Sequence, residues 1–299
     1  MSLITKKVKI VCFGEVLFDV FPTHRKIGGA PLNVGLRMAS LGIDTQIISR
    51  IGQDEIGNEL LDFVKENGVS TDAIQVDTTF ATGEVLVQLD EKGSASYTIS
   101  YPVAWDKIEA TPEAQKVVTN ADALVFGSLA CRDNTSYQSL LTLLNSAKYK
   151  IFDVNLRAPF YTKELLLDLM NKANFIKFND DELYEISEYL GSPFHSLEQN
   201  IQFIAEKTNT NHICVTKGSH GAVLLYDNQL FYNSGYKIKV ADTVGAGDSF
   251  LAGLLSKLLT GVTPQNAINF ACALGALVAQ NEGANPKISP ETISEFMQI

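Results

Sequence analysis

The sequence predicts an α/β fold in which helices flank a mostly parallel central sheet, with a small separate β-sheet beside it. Three observations predict it. Residues 8–13 (VKIVCF) form a continuous apolar run, as a strand buried on both faces requires. From residue 121 onward such runs alternate with helix-periodic segments, and that alternation demands parallel strands joined by right-handed crossovers. One region breaks the pattern: residues 83–90 and 95–100 alternate apolar and polar around Glu91-Lys92-Gly93-Ser94, which describes a hairpin with one wet face. No internal repeat or low-complexity linker interrupts the 299 residues. They therefore read as one domain, 1–299, with lid segments at about 14–27 and 83–105 inserted in it.

Taken in order, the first strand ends at Gly14-Glu15 and leads to Asp19. That position lies beyond the carboxyl end of a strand, where open α/β sheets bind ligands, although a turn or cap also explains it. Gly28 and Gly29 precede Pro31, which suits the first turn of a helix running to Leu41 and stopped by Gly42. The paired glycines let a ligand approach the backbone, and Asn33 offers both a donor and an acceptor; an exposed helix residue is the plainer reading. Residues 45–50 are a strand and 54–67 a helix that opens on acid and ends at Gly68. The segment around 16–26 can join the hairpin in a small sheet covering a site. Tyr97, Tyr101 and Trp105 then read either as aromatics over a ligand or as ordinary hairpin packing.

In the second half, strands are expected at 121–126, 150–154, 173–178 and 212–216, with helices at 135–147, 163–171, 180–190 and 201–207. Residues 221–226, 229–232 and 236–240 look like antiparallel edge strands. Polar groups follow several of these strands. Arg157 is a candidate phosphate or sugar contact, or half of a surface ion pair. Asn179-Asp180-Asp181-Glu182 opens a helix, where acids also complement the dipole. Residues 216–221 (TKGSHG) make a glycine-bearing turn. Thr263-Pro264 caps a further helix, apolar all round and rich in small residues, hence buried.

Between these lies Asp242-Thr243-Val244-Gly245-Ala246-Gly247-Asp248-Ser249-Phe250. Apolar residues at 250, 251, 254, 255, 258 and 259 define a helix with one buried face. Gly245, Ala246 and Gly247 leave its N-terminal amides bare toward an anion. Asp248 would repel that anion unless a reacting hydroxyl stands between them, the Asp taking the proton and the amides the developing charge. The alternative is a tight turn with a first-turn acid.

Composition narrows the field. A net charge of −10 argues against nucleic-acid and anionic-membrane surfaces, and no apolar run approaches membrane-span length. The opening MSLITKKVKI has no signal-peptide core. Cys12, Cys131, Cys214 and Cys272 lie far apart with no CxxC, and read as buried thiols in a reducing cytoplasm. No GxxxxGK[ST], protein-kinase set, GxSxG or histidine metal spacing occurs.

The 242–250 string resembles the C-terminal signature of the ribokinase-like (PfkB) carbohydrate kinases, and GGAPLNVG at 28–35 resembles their N-terminal signature. The resemblance covers nearly the whole chain. It implies a ribokinase-like fold and ATP and Mg²⁺ as cofactors, with K⁺ as a further expectation. Asp248 becomes the catalytic base beside Gly245, Ala246 and Gly247, and Gly28, Gly29 and Asn33 the sugar side, to which the strand-end reading adds Asp19 and Arg157 as candidate substrate contacts. Thr216, Gly218 and Gly221 match the nucleotide loop, and Asn179 and Glu182 an Asn-x-x-Glu motif that positions Mg²⁺ largely through water. For Asp242 two readings stand, a K⁺ ligand and a cap on the turn. Residues 14–19 (GEVLFD) and 104–108 (AWDKI) are most similar to bacterial fructokinases, which implies fructose 6-phosphate as product. Ribose, 2-keto-3-deoxygluconate or a nucleoside is the alternative substrate, and a non-catalytic sugar sensor the remote one. A homodimer through the exposed lid edge is a further expectation.

Overall fold

The chain was analysed as a computed structural model that describes residues 7–89 and 95–298. The loop expected at 91–94 lies outside the described residues. In chain order the strands are β1 (Lys9–Phe13), β2 (Leu17–Val20), β3 (Arg25–Gly28), β4 (Asp44–Gly52), β5 (Ile74–Asp77), β6 (Gly83–Leu89), β7 (Ala95–Ile99), β8 (Ala123–Gly127), β9 (Lys150–Asp153), β10 (Phe175–Asn179), β11 (His212–Thr216), β12 (Ala222–Tyr226) and β13 (Gln229–Asn233). The helices are α1 (Ala30–Ser40), α2 (Glu55–Glu66), α3 (Pro112–Asn120), α4 (Asn134–Leu144), α5 (Lys163–Lys172), α6 (Asp180–Tyr189), α7 (Leu197–Thr208), α8 (Ala246–Leu258), α9 (Pro264–Ala279) and α10 (Pro290–Phe296).

The main sheet runs β13-β12-β11-β10-β9-β8-β1-β4-β5. It is parallel from β11 to β5, and β12 and β13 turn back antiparallel at one edge. Alternate residues of β1 divide between two cores, as a strand buried on both faces must. Val11 and Phe13 join the cluster that packs α3 to α7, whereas Ile10 and Cys12 join the one that packs α1, α2, α8 and α9. β1 has β4 on one side and β8 on the other, so the strand order reverses there. The carboxyl ends of β1 and β8 therefore flank the switch-point crevice in which such sheets bind ligands.

The expected small sheet is present, in the order β3-β2-β6-β7. It is tied to the main core through Trp105, whose indole sits so close to Gly83 that a Cβ there would lie 2.2 Å from Nε1. Trp105 is 1% exposed, so it is a core residue and not an aromatic facing a ligand, while Tyr97 and Tyr101 stand in solvent. Residues 236–240 depart from the expected edge strand and pair with no neighbour. Tyr236 packs on Phe296 of α10, and the chain is held at Ala241 and Asp242, whose amides donate to the Ala279 carbonyl at the end of α9 (2.8 and 3.3 Å). Side-chain packing on α9 and α10 has replaced a ladder that β13 would have offered. All four cysteines are buried free thiols, as expected.

Candidate active site

Two glycine-started helices, α1 and α8, pack on each other. Gly29, the N-cap of α1, has φ 112°, and a Cβ on it would lie 2.4 Å from the Glu15 carbonyl oxygen. Only glycine lets the chain leaving β1 pass so near the helix start. Gly245, the N-cap of α8, has φ 73° and would drive a Cβ to 2.5 Å from Ala284. No side chain caps α8. The Ala246 amide donates to the Thr243 carbonyl (3.2 Å), which leaves the amides of Gly247 and Asp248 for a ligand among the described residues.

The two signatures, 215 residues apart, meet in one hydrogen bond. Asn33 Nδ2 donates to Asp248 Oδ2 at 2.8 Å, and Asn33 Oδ1 accepts from Asn285 Nδ2 at 2.9 Å. Burial and the negative charge of Asp153 push Asp248 up to about 6, against the pull of the Asn33 bond, Lys177 and Arg157. A carboxylate in that range is ionised at neutral pH yet basic enough to take a proton. Next to it, Ser249 Oγ is fixed by Arg37 Nε (3.0 Å), and the same guanidinium ties down the Pro286 carbonyl.

Lys177 is the residue that pattern reading missed. It lies in β10 beside Asp153, buried, with Nζ 3.0 Å from Asp153 Oδ1. A Cβ on Gly247 would stand 3.6 Å from Nζ, so the ammonium lies against the anion-binding turn. Burial pulls its pKa down, but the carboxylates of Asp153, Glu182 and Asp248 more than offset that and keep it charged. The signal was in the sequence: a lysine amid the apolar Phe175-Ile176-Phe178 needs a buried anionic partner.

Glu15 follows the first strand. It is 3% exposed, and burial pushes its carboxyl up to about 7 despite hydrogen bonds from its own and the Ala30 amide and the charge of Arg157. Asp19 stands against Gly28 across β2–β3, where a Cβ would meet its Oδ2 at 2.6 Å. Its pKa is raised, burial outweighing the charges of Arg157 and Lys26. Arg157 itself is exposed and donates from Nη1 to the Leu156 carbonyl (2.8 Å).

Asn179 and Glu182 form a capping box at the start of α6. Asn179 Oδ1 accepts the Glu182 amide (2.7 Å), and Glu182 Oε2 accepts the Asn179 amide (2.8 Å). Glu182 Oε1 also accepts the Leu156 amide (2.9 Å). Each carboxylate oxygen keeps a lone pair, and Asp153 Oδ2 nearby is buried with no partner. This all-oxygen set fits Mg²⁺ held through its waters.

Thr216 is paired in register with Asn179, so the turn after β11 borders the same crevice. Gly218 has φ 53°, and Gly221, with φ 78°, would place a Cβ 1.9 Å from the Asn233 carbonyl. Asp242 caps its turn: Oδ1 accepts the Val244 amide and Oδ2 the Gly283 amide, both at 3.0 Å. It thus joins the α8 turn to the loop at 282–285, and its carboxylate oxygens keep lone pairs beyond the two amide contacts.

A buried carboxylate, free helix-start amides, a buried lysine and a set of oxygen donors thus lie together on an open α/β sheet. Over residues 1–291 the chain matches the pfkB family of carbohydrate kinases, and it belongs to that family. Among curated relatives it is 28% identical to a fructokinase of Escherichia coli, covering 92% of this chain and 94% of that one. It is 27% identical to probable fructokinase-6, chloroplastic, of Arabidopsis thaliana, covering 96% and 82%. Among solved structures, a sugar kinase of Pyrococcus horikoshii in complex with ATP superposes with TM-score 0.81 at 26% identity, covering 92% and 93%. A Vibrio cholerae fructokinase double mutant with fructose, ADP and potassium gives TM-score 0.84 at 23% identity, covering 97% and 98%, and shares the fold. The chain is a sugar phosphotransferase.

Proposed function

We propose that this kinase transfers the γ-phosphoryl group of ATP to the primary hydroxyl of fructose, giving fructose 6-phosphate. The Asn33–Asp248 hydrogen bond carries the reading, because it holds the base of one helix on the sugar-side residue of the other. The sugar itself follows from relatives named fructokinase in both bacteria and plants.

In this reading Asp19, Gly28, Gly29 and Asn33 hold the sugar, and Thr216, Gly218 and Gly221 border the nucleotide. Asp248 takes the hydroxyl proton as the sugar oxygen bonds to the γ-phosphorus, and the bond to the ADP oxygen breaks. The amides of Gly247 and Asp248 and the Lys177 ammonium receive the charge that develops. Mg²⁺, which Glu182, Asn179 and Asp153 would hold, supplies neutralisation of the phosphate oxygens when bound. The four-stranded sheet acts as a lid, and its open edges β3 and β7 suit a homodimer, which sedimentation tests. Four buried free thiols support a cytoplasmic site of action.

A coupled assay with Mg·ATP over fructose, ribose, 2-keto-3-deoxygluconate and a nucleoside panel tests the proposal. Fructose is expected to give the highest kcat/KM; a higher value for any other member replaces it as substrate.

A further inference from the structure

Glu15 is a buried acid that the reaction above leaves without a task. Its carboxyl accepts the amides of Glu15 and Ala30, yet Oε2 is shielded from solvent and has no hydrogen-bond partner. A buried oxygen left unpaired is destabilising, and a partner supplied in a later state explains its retention.

Arg157 is the converse case. Of its five donors, one Nη1 hydrogen meets the carbonyl of its own neighbour Leu156, and no carboxylate lies in ion-pair range among the described residues. The backbone beneath it is fixed, since the Leu156 amide is held by Glu182 and Asn155 sits at φ 40°. The side chain alone is free to swing, and its charge already acts on Glu15, Asp19 and Asp248. Of those three, Asp248 has Oδ2 on Asn33 and needs its other oxygen for the proton. Asp19 also feels Lys26. Glu15 has a buried oxygen with no hydrogen-bond partner among the described residues, and Arg157 is a cation that acts on it.

We infer that Glu15 is a positioning residue for Arg157: in the loaded enzyme the guanidinium leaves the Leu156 carbonyl, docks on Glu15 Oε2, and turns its remaining N–H groups toward the transferring phosphoryl group. A planar fork suits this, with one edge on a carboxylate and the other on phosphate oxygens. Docking would also favour the ionised form of a carboxyl that burial raises to about 7 even against the present pull of Arg157 and two backbone amides.

The inference rests on the phosphotransfer reading and is tested by a double-mutant cycle of wild type, Glu15→Gln, Arg157→Met and the double variant. Glu15→Gln keeps an oxygen for the Ala30 amide, so the start of α1 is preserved. Each single change is expected to lower kcat by about 10- to 100-fold, with KM for fructose moving less than about threefold. The double variant should fall no more than about threefold below the worse single. Multiplicative losses in the double variant overturn the inference, and so does a loss confined to KM, which would put Glu15 on the sugar itself. Should Glu15→Gln not fold, Glu15→Asp, which withdraws the charge by one methylene, takes its place in the cycle. A wild type inactive on fructose refutes the substrate and not this pair, and the cycle is then run on the sugar the panel selects.

Discussion

At the residue scale the site turns on how burial sets the chemistry of a few carboxyls. Asp248 lies near 6 because desolvation and Asp153 outweigh Asn33, Lys177 and Arg157. In the proposed mechanism Asp248 must be ionised to act, so kcat/KM should hold on the neutral side and fall about tenfold per unit below pH 6. A pH–rate profile measures this, and a flat line down to pH 4.5 would remove Asp248 as base. Asp248→Asn keeps the size and the Asn33 contact but cannot take a proton, so kcat should drop on the order of 10²–10⁴ while ADP affinity stays within about threefold. Asp248 and Asn33 were legible because each sits in a glycine-marked string whose only economical use is close approach to a ligand. Lys177, Asp153 and Glu15 were not. Their roles depend on which strands become neighbours, and a single apolar run carries no record of that.

At the element scale, local grammar served well where an element ends on its own residues. The Asp54 cap of α2, the Pro31 start of α1 and the Asn179–Glu182 box of α6 all stand where their residue types require. It failed at residues 236–240, whose β-prone composition was outweighed by the docking of Tyr236 on Phe296. α3, with nine residues and two buried positions, and β5, with four residues, were too short to register as patterns. The α8 turn gives a prediction of its own. Asp242 binds amides of both the turn and the 282–285 loop, so a cation among its remaining lone pairs would tighten the same joint. Potassium should raise kcat/KM severalfold over tetramethylammonium at matched ionic strength, and Asp242→Ala should abolish the difference. Equal rates in the two salts would leave Asp242 as a cap alone.

At the scale of the whole molecule the question is how a site at the open end of a sheet keeps water from the γ-phosphate. α1 and α8 pack on each other against the main sheet, while the small sheet carries Gly28 on its edge strand β3 and Asp19 on the neighbouring β2. That sheet is linked to the main one by single passages of chain after β1, before α1, before β6 and after β7. Trp105 anchors only its Gly83 end, and Tyr97 and Leu86 further out remain exposed. At the far end Arg25 of β3 pairs with Glu59 of α2, an exposed ion pair weak enough to break, so the sheet can pivot, and closing over the sugar would exclude water and complete the site. Saturating fructose should therefore slow amide hydrogen exchange at the far end of β6 and in β7 by tenfold or more, while β1 and β8, already buried, change little. The Glu15→Gln and Asp248→Asn proteins serve as controls, since both should close normally if closure depends on the sugar and not on phosphoryl transfer. Unchanged exchange in β6 and β7 at saturating sugar would mean that this sheet is a fixed wall, and that water is kept out by packing around the substrate instead.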